Sequence, residues 1–406
     1  MRILFVSSII PYPPVRGDKL RIYNIIKQFN RYHELKIISF VKNEEEKRNA
    51  KNFKKAGYNL TTVNLPRITG IFNLFRMVIN KDPLQVSFHY SKKMASIIQQ
   101  ETRQNNYDIV YFHLFTVAQY CRSVKNPYSI KVFDMTDATA LYLQRYLEII
   151  RNPIKKFFVK FELARIRLYE HIIKIFDVTY VCSMVDLNYL RTRIPLINIR
   201  HFTNGVDTDY FQVEKQTYKK HRIIFVGSLP YYPNTDAVLF FAKEVFPKIK
   251  ISFPDAEFYI IGSNPPEEVK SLASESIFVT GFVEDIKKEY LVSEVNVAPI
   301  RFGAGIQNKI IESLSLGIPT VSSKLAVESF DEEIKKFIFT AETADEYANM
   351  VSKIFNNSSI RDSMMIECIR LIKEKMTWEK LVNTENIYLE SLVEERKKTK
   401  LNNKID

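Results

Sequence analysis

The stretch from Val295 to Ser322 constrains this chain more than any other. Val295 to Pro299 has the length and β-branched content of a buried strand, and Gly303 and Gly305 follow it. Asn308 to Leu316 carries apolar residues at helical spacing, Gly317 stops it, and Pro319 to Ser322 reads as the next strand. A strand, a helix and a strand in close succession make a crossover between parallel strands, which belongs to α/β architecture.

The same grammar runs through the rest of the sequence. Arg2 to Ser7, Leu35 to Phe40, Asp108 to Phe112, Ser129 to Phe133 and Val178 to Cys182 are strand candidates in the first half, with an amphipathic helix expected over Lys19 to Phe29. Arg222 to Val226, Glu257 to Ile261 and Ser276 to Thr280 precede Val295 in the second half, with helices at Ala237 to Phe246 and Ile286 to Leu291. Phe202 to Lys220, with Asn204-Gly205 and then a charged run, is the natural linker. Two Rossmann-like domains are expected, over 1–205 and 206–385, with 386–406 as a helix end and, from Arg396 to Asp406, a solvated, disordered tail.

With 406 residues the chain is long enough for two such domains. No apolar window reaches the ~18 residues that span a bilayer. Ile3 to Ile10 reads as a first strand rather than a signal peptide. Cys121, Cys182 and Cys368 lie far apart, fitting neither a disulfide framework nor a zinc site, and suggest a reducing, cytoplasmic setting. Charge divides unevenly: residues 1–200 hold 33 Lys and Arg against 15 Asp and Glu, a net +18, and the remainder hold 26 against 31, a net −5. The first half is expected to face a polyanion, the second to do something else.

The first βα connection, Ser7 to Arg21, holds only Gly17 where a dinucleotide fingerprint needs three glycines. An NAD-type first domain is disfavoured. A loop stiffened by Pro11, Pro13 and Pro14 and ending at Gly17 presents backbone N–H groups and Arg16 or Arg21 to an anion, or is an ordinary loop with surface arginines. In the second half, Gly303 and Gly305 open a helix whose free N–H groups suit phosphate. Lys309 and Glu312 share one face of that helix, placing a diphosphate cation beside a carboxylate able to accept from ribose hydroxyls.

Gly305 to Pro319 reads G-I-Q-N-K-x-x-E-x-x-x-x-G-x-P, and here the chain resembles the retaining GT-B glycosyltransferases of family 4 that carry this signature. Phe225-Val-Gly-Ser228, Pro233-Asn234, Tyr259-Ile-Ile-Gly-Ser263, Gly281-Phe-Val-Glu-Asp285, Asn204-Gly-Val-Asp207 and Pro11 to Arg21 extend the likeness to about Trp378. The resemblance implies two Rossmann-like domains with parallel sheets facing an inter-domain cleft. It implies transfer of a hexose-type sugar, with retention, from a UDP- or GDP-type donor to a glycan or lipid-linked acceptor. No metal and no separate cofactor are expected.

By the same resemblance, Gly281, Phe282 and Val283 pass beside the base, Gly227 and Ser228 beside the diphosphate, and Glu312 holds the ribose. Ala304 stands where the wider family has the first Glu of an E-x7-E pair, and the usual Arg and Lys after the Gly227 strand are missing. Arg301 and Lys309 are therefore assigned the diphosphate charge, and the N–H groups of Gly305, Ile306 and Gln307 the sugar. His113, at the end of a first-half strand, is the candidate beside the donor sugar. Asp134 and Asp137 are candidates for acceptor hydroxyls or for helix N-caps.

Asp207-Thr-Asp209 imitates a metal-binding D-x-D but is better read as a turn cap. Arg145 to Lys174 interleaves basic residues with Phe, Ile and Leu, as a helix lying on an anionic membrane would, or as core helices with snorkelling lysines would. Two rivals are a sugar-nucleotide-binding partner without turnover and a basic nucleic-acid-binding protein. The second lacks any recognisable nucleic-acid module, and no nucleic-acid partner is expected.

Overall fold

The computed structural model describes residues 1–14, 17–74, 81–213, 218–303 and 305–402. The chain forms two units, Met1–Thr203 with Leu381–Asp406, and Asn204–Lys380.

Among the described residues the first unit holds seven strands: β1 (Arg2–Ser7), β2 (Glu34–Val41), β3 (Leu60–Asn64), β4 (Ile109–His113), β5 (Ile130–Thr136), β6 (Val178–Val181) and β7 (Ile199–His201). All pair in parallel in the order β3-β2-β1-β4-β5-β6-β7. β1 and β4 are buried on both faces, which is why their sequences are nearly unbroken apolar runs. The edge strands β3 and β7 escape the sequence pattern because they are short and half polar.

The second unit has β8 (Arg222–Val226), β9 (Glu257–Ile261), β10 (Ile277–Gly281), β11 (Val295–Ala298), β12 (Thr320–Ser322) and β13 (Ile338–Thr340) in the order β10-β9-β8-β11-β12-β13, again all parallel. The strand order reverses between β8 and β11, and in open α/β sheets ligands bind beyond the carboxyl ends of the strands at such a point. The expected crossover is present: β11, a helix over Asn308–Ser315, then β12. Gly317, at φ +67, closes that helix; its N–H donates to Leu314 O and that of Ile318 to Ser313 O, a double bond pattern that needs a left-handed residue. Fully buried Asn296 clamps the helix to the sheet, donating to Ser313 Oγ at 3.0 Å and to Lys309 O at 3.3 Å.

The C-terminus departs from expectation. A single helix runs over Trp378–Asn402, and from Leu381 it packs with the first unit rather than the second. Arg396 pairs with Asp177 at 2.5 Å and Lys397 with Asp108 at 2.8 Å, so residues 396–402 are helical and anchored, where a disordered tail was expected. Asp207 caps its turn as read, accepting from the N–H groups of Asp209 and Tyr210. The three cysteines are free and buried. Among the described residues no helix is long and apolar enough to cross a membrane.

Candidate active site

In the second unit the loops after β8 and β11 meet. A Cβ on Gly262 would lie 1.9 Å from Gly227 O, and one on Gly227 would lie 2.8 Å from Asn234 Nδ2, so only glycines let these backbones approach. Asn234 Nδ2 donates to Ser228 O at 3.0 Å, and its Oδ1 accepts from Lys309 Nζ at 2.8 Å. Lys309 also donates to Gln307 Oε1 at 3.1 Å and sits 4.7 Å over the Phe225 ring. It is buried, and burial pushes its amine down to about 7.

Glu312, one turn on, accepts from Tyr290 Oη at 3.1 Å; burial raises its carboxyl to about 6, against the lowering pull of Tyr290 and Lys309. Among the described residues, Gln307 at the start of the Asn308–Ser315 helix makes no side-chain capping bond, and Asn204 Nδ2 donates to Asn308 Oδ1 there. Gly303 and Gly305 both have positive φ, leaving a loop that only glycine adopts without strain before this helix. Ala304 lies outside the described residues. Ile306 packs against the core edge.

Gly281, at φ +73, ends β10. Phe282 then stands 64% exposed while Val283 packs inward. Arg301 is not a free cation: it forms a bidentate pair with Asp236, at 2.6 and 2.8 Å, and stacks on Phe240. Asp236 and the Asn234 contact were not evident in the sequence.

The first unit supplies a second cluster at the carboxyl ends of β1, β4 and β5. Asp134 is fully buried within β5 and accepts from Arg21 in a bidentate pair, from Tyr111 Oη at 3.2 Å and from His113 Nδ1 at 3.0 Å. Arg21 and His113 hold the Asp134 carboxyl well below the usual range against the raising effect of burial. That leaves Asp134 neither a helix cap nor open to a hydroxyl, and Arg21, 1% exposed, is not a surface arginine. His113 Nε2 is buried without a hydrogen-bond partner among the described residues. The residue after it, Leu114, has φ +77, and Thr136 at the end of β5 has φ +70, backbone strain of the kind concentrated at functional sites.

Asp137 accepts from Cys182 Sγ at 3.1 Å, and burial together with nearby Asp186 raises its carboxyl; it is not an N-cap either, since Ala138 holds that position. Gly17 begins the helix over Gly17–Tyr32, and Arg16 lies outside the described residues.

Residues 220–357 match the model of the family described as glycosyl transferases group 1. No curated protein matches the chain in sequence. Among solved structures the chain is similar to the sucrose-phosphate synthase of Thermosynechococcus elongatus, at 12% identity over 97% of this chain and 99% of that one, with a TM-score of 0.68. It is similar to Anabaena HepE in complex with UDP and glucose, at 13% identity over 96% and 100%, with a TM-score of 0.65. The α,α-trehalose-phosphate synthase of Burkholderia xenovorans, solved with glucose-6-phosphate, aligns at 12% identity over 96% and 100%, with a TM-score of 0.67. The fold is GT-B.

Proposed function

We propose that the chain is a glycosyltransferase that moves a sugar, with retention, from a UDP- or GDP-type sugar donor to a glycan or lipid-linked acceptor. The observation that carries this reading is the Lys309, Asn234 and Glu312 arrangement at the carboxyl edge of β8 and β11, inside the segment matching the family. The G-I-Q-N-K-x-x-E branch of family 4 is the subgroup it fits, and HepE, of the same fold, was solved with UDP and glucose.

In this reading Phe282 offers an exposed face to the base and Glu312 accepts from the ribose hydroxyls. The N–H groups at the start of the Asn308–Ser315 helix and the Lys309 amine take the diphosphate. As the glycosidic bond breaks, charge accumulates on the departing diphosphate, so these donors bind the transition state better than the bound donor sugar. Transfer on the face the leaving group vacates needs no enzymic nucleophile. Arg301, locked by Asp236, contributes to the loop's shape rather than its free charge.

His113 is the candidate residue of the first unit. His113 donates its Nδ1 hydrogen to ionised Asp134, which leaves the Nε2 lone pair to accept a sugar hydroxyl. Calorimetry with UDP, GDP and their glucose, N-acetylglucosamine and mannose conjugates tests the proposal. Binding of none of them, together with no donor hydrolysis or transfer, would exclude it; tight binding without turnover would favour a non-catalytic binding partner.

A further inference from the structure

The helix over Pro153–Tyr169 has two apolar faces. Leu163 and Ile166 point into the core of the first unit. Ile154, Phe157, Phe158, Phe161 and Leu168 are between 54% and 69% exposed, and at 3.6 residues per turn they fall within about a 100° arc on the other side. A helix apolar on both sides is ordinarily covered on both. Nearby, Leu84 N–H donates to Glu162 Oε1 at 2.7 Å, joining the Leu84–Phe88 helix to this one. That short helix in turn packs on the helix over Arg67–Asn73, whose Ile68, Ile71 and Phe72 are between 56% and 64% exposed.

Charge says what covers this face. The Pro153–Tyr169 helix carries five Lys and Arg against one Glu. Along its flank an open groove, shared with the helix over Thr139–Ile149, is lined by Lys156, Lys160 and Arg167 around a floor of Leu147, Leu163 and Ala164, with Glu148 the one carboxylate there. Cations beside an exposed aromatic stripe match the layering of an anionic bilayer surface, phosphates above and acyl chains below. A second copy meeting this face by two-fold symmetry would oppose the same cations to one another.

We propose that this face docks on an anionic phospholipid bilayer, with Phe157, Phe158 and Phe161 entering the boundary between headgroups and acyl chains and the Lys156, Lys160 and Arg167 groove holding lipid phosphates. The assignment is independent of the chemistry proposed for the second unit.

The test is flotation of the full chain with vesicles of phosphatidylcholine alone and of phosphatidylcholine containing about a third phosphatidylglycerol, at low and high salt. The chain floats with the anionic vesicles and is released by salt. Substituting Lys156, Lys160 and Arg167 by Glu weakens that binding by roughly a hundredfold. Substituting Phe157, Phe158 and Phe161 by Ser weakens binding to the anionic vesicles at low salt by about tenfold or more. Unchanged thermal melting and circular dichroism show that the variants are folded, and the charge variant stands alone should the Ser variant fail to fold. No binding to anionic vesicles at low salt, or wild-type binding by the charge variant, overturns the proposal. A wild-type dimer that the Ser variant converts to monomer, with no vesicle binding by either, also overturns it and makes this face an interface between copies.

Discussion

The amine of Lys309 lies 2.8 Å from the side-chain oxygen of Asn234, a residue whose amide nitrogen is itself bound to the carbonyl of Ser228. One amide therefore ties the loop after β8 to the helix after β11. Asn234→Ala removes both bonds, each worth about 1 kcal/mol, and frees the lysine to swing. Turnover is expected to fall by about tenfold with nucleoside affinity little changed. Wild-type kcat in this variant, measured at saturating donor, would show that Lys309 need not be held.

Glu312→Gln keeps the side-chain shape and a carbonyl for Tyr290 but loses the charged acceptor. Affinity for donor and for free nucleoside diphosphate is expected to drop by about 1.5 to 3 kcal/mol, the range for a hydrogen bond to a charged group. Titration calorimetry reads this directly. Equal affinity in variant and wild type would remove Glu312 from the ribose.

Acidity at the site gives a prediction with a definite sign. Lys309 is lowered from 10.5 to about 7, so between those values the unfolded chain holds a proton that the folded chain lacks, and stability rises with pH across that window. Glu312 is raised from 4.5 to about 6, so its favourable contribution is complete below 4.5 and is lost as pH rises through about 6. The rise above about pH 7 should be absent from Lys309→Met in parallel denaturation curves. Diphosphate bound beside the amine favours its charged form, so at about pH 8 binding takes up a proton. Calorimetry in two buffers of different ionisation enthalpy detects that uptake, and its persistence in Lys309→Met would place the titrating group elsewhere.

Asp134→Ala leaves Arg21 buried without its counter-charge. Removing one partner of a buried pair costs about 3 to 5 kcal/mol, so the urea midpoint should move sharply. His113→Ala spares the Arg21 pair and should lower kcat more than stability. A loss in both assays of the same relative size would make His113 a packing residue only.

EDTA is expected to leave transfer intact, with Lys309 and the helix N–H groups carrying the diphosphate charge. Complete loss of activity restored by magnesium or manganese would refute a metal-independent reaction.

Burial decided what the sequence could reveal. Strands such as β1, β4 and β8, covered on both faces, write themselves as apolar runs. Three-residue β7 and β13 do not. Lys309 and Glu312 were legible because spacing along one helix is local information. The Arg21 and Asp134 pair spans 113 positions and exists only because β1 lies beside β4 and β4 beside β5. Arg301 was read as a free cation for the same reason, since nothing near it in sequence announces Asp236. The segment from Arg396 looked solvated because it is almost wholly charged and polar, and Asp177, which pairs with Arg396, stands 219 positions away.

That last helix has a consequence for how the protein is made. The unit that begins the chain is finished by its end: Arg200 pairs with Glu385 at 3.0 Å, and Leu389 is fully buried. During synthesis domains ordinarily fold as they emerge, first to last. Here the second unit is complete in sequence at Lys380 while the first still awaits its closing helix. The nascent first unit therefore waits, partly uncovered, through the synthesis of the whole second one, and protease protection of ribosome-bound chains should appear in the second unit before it is complete in the first.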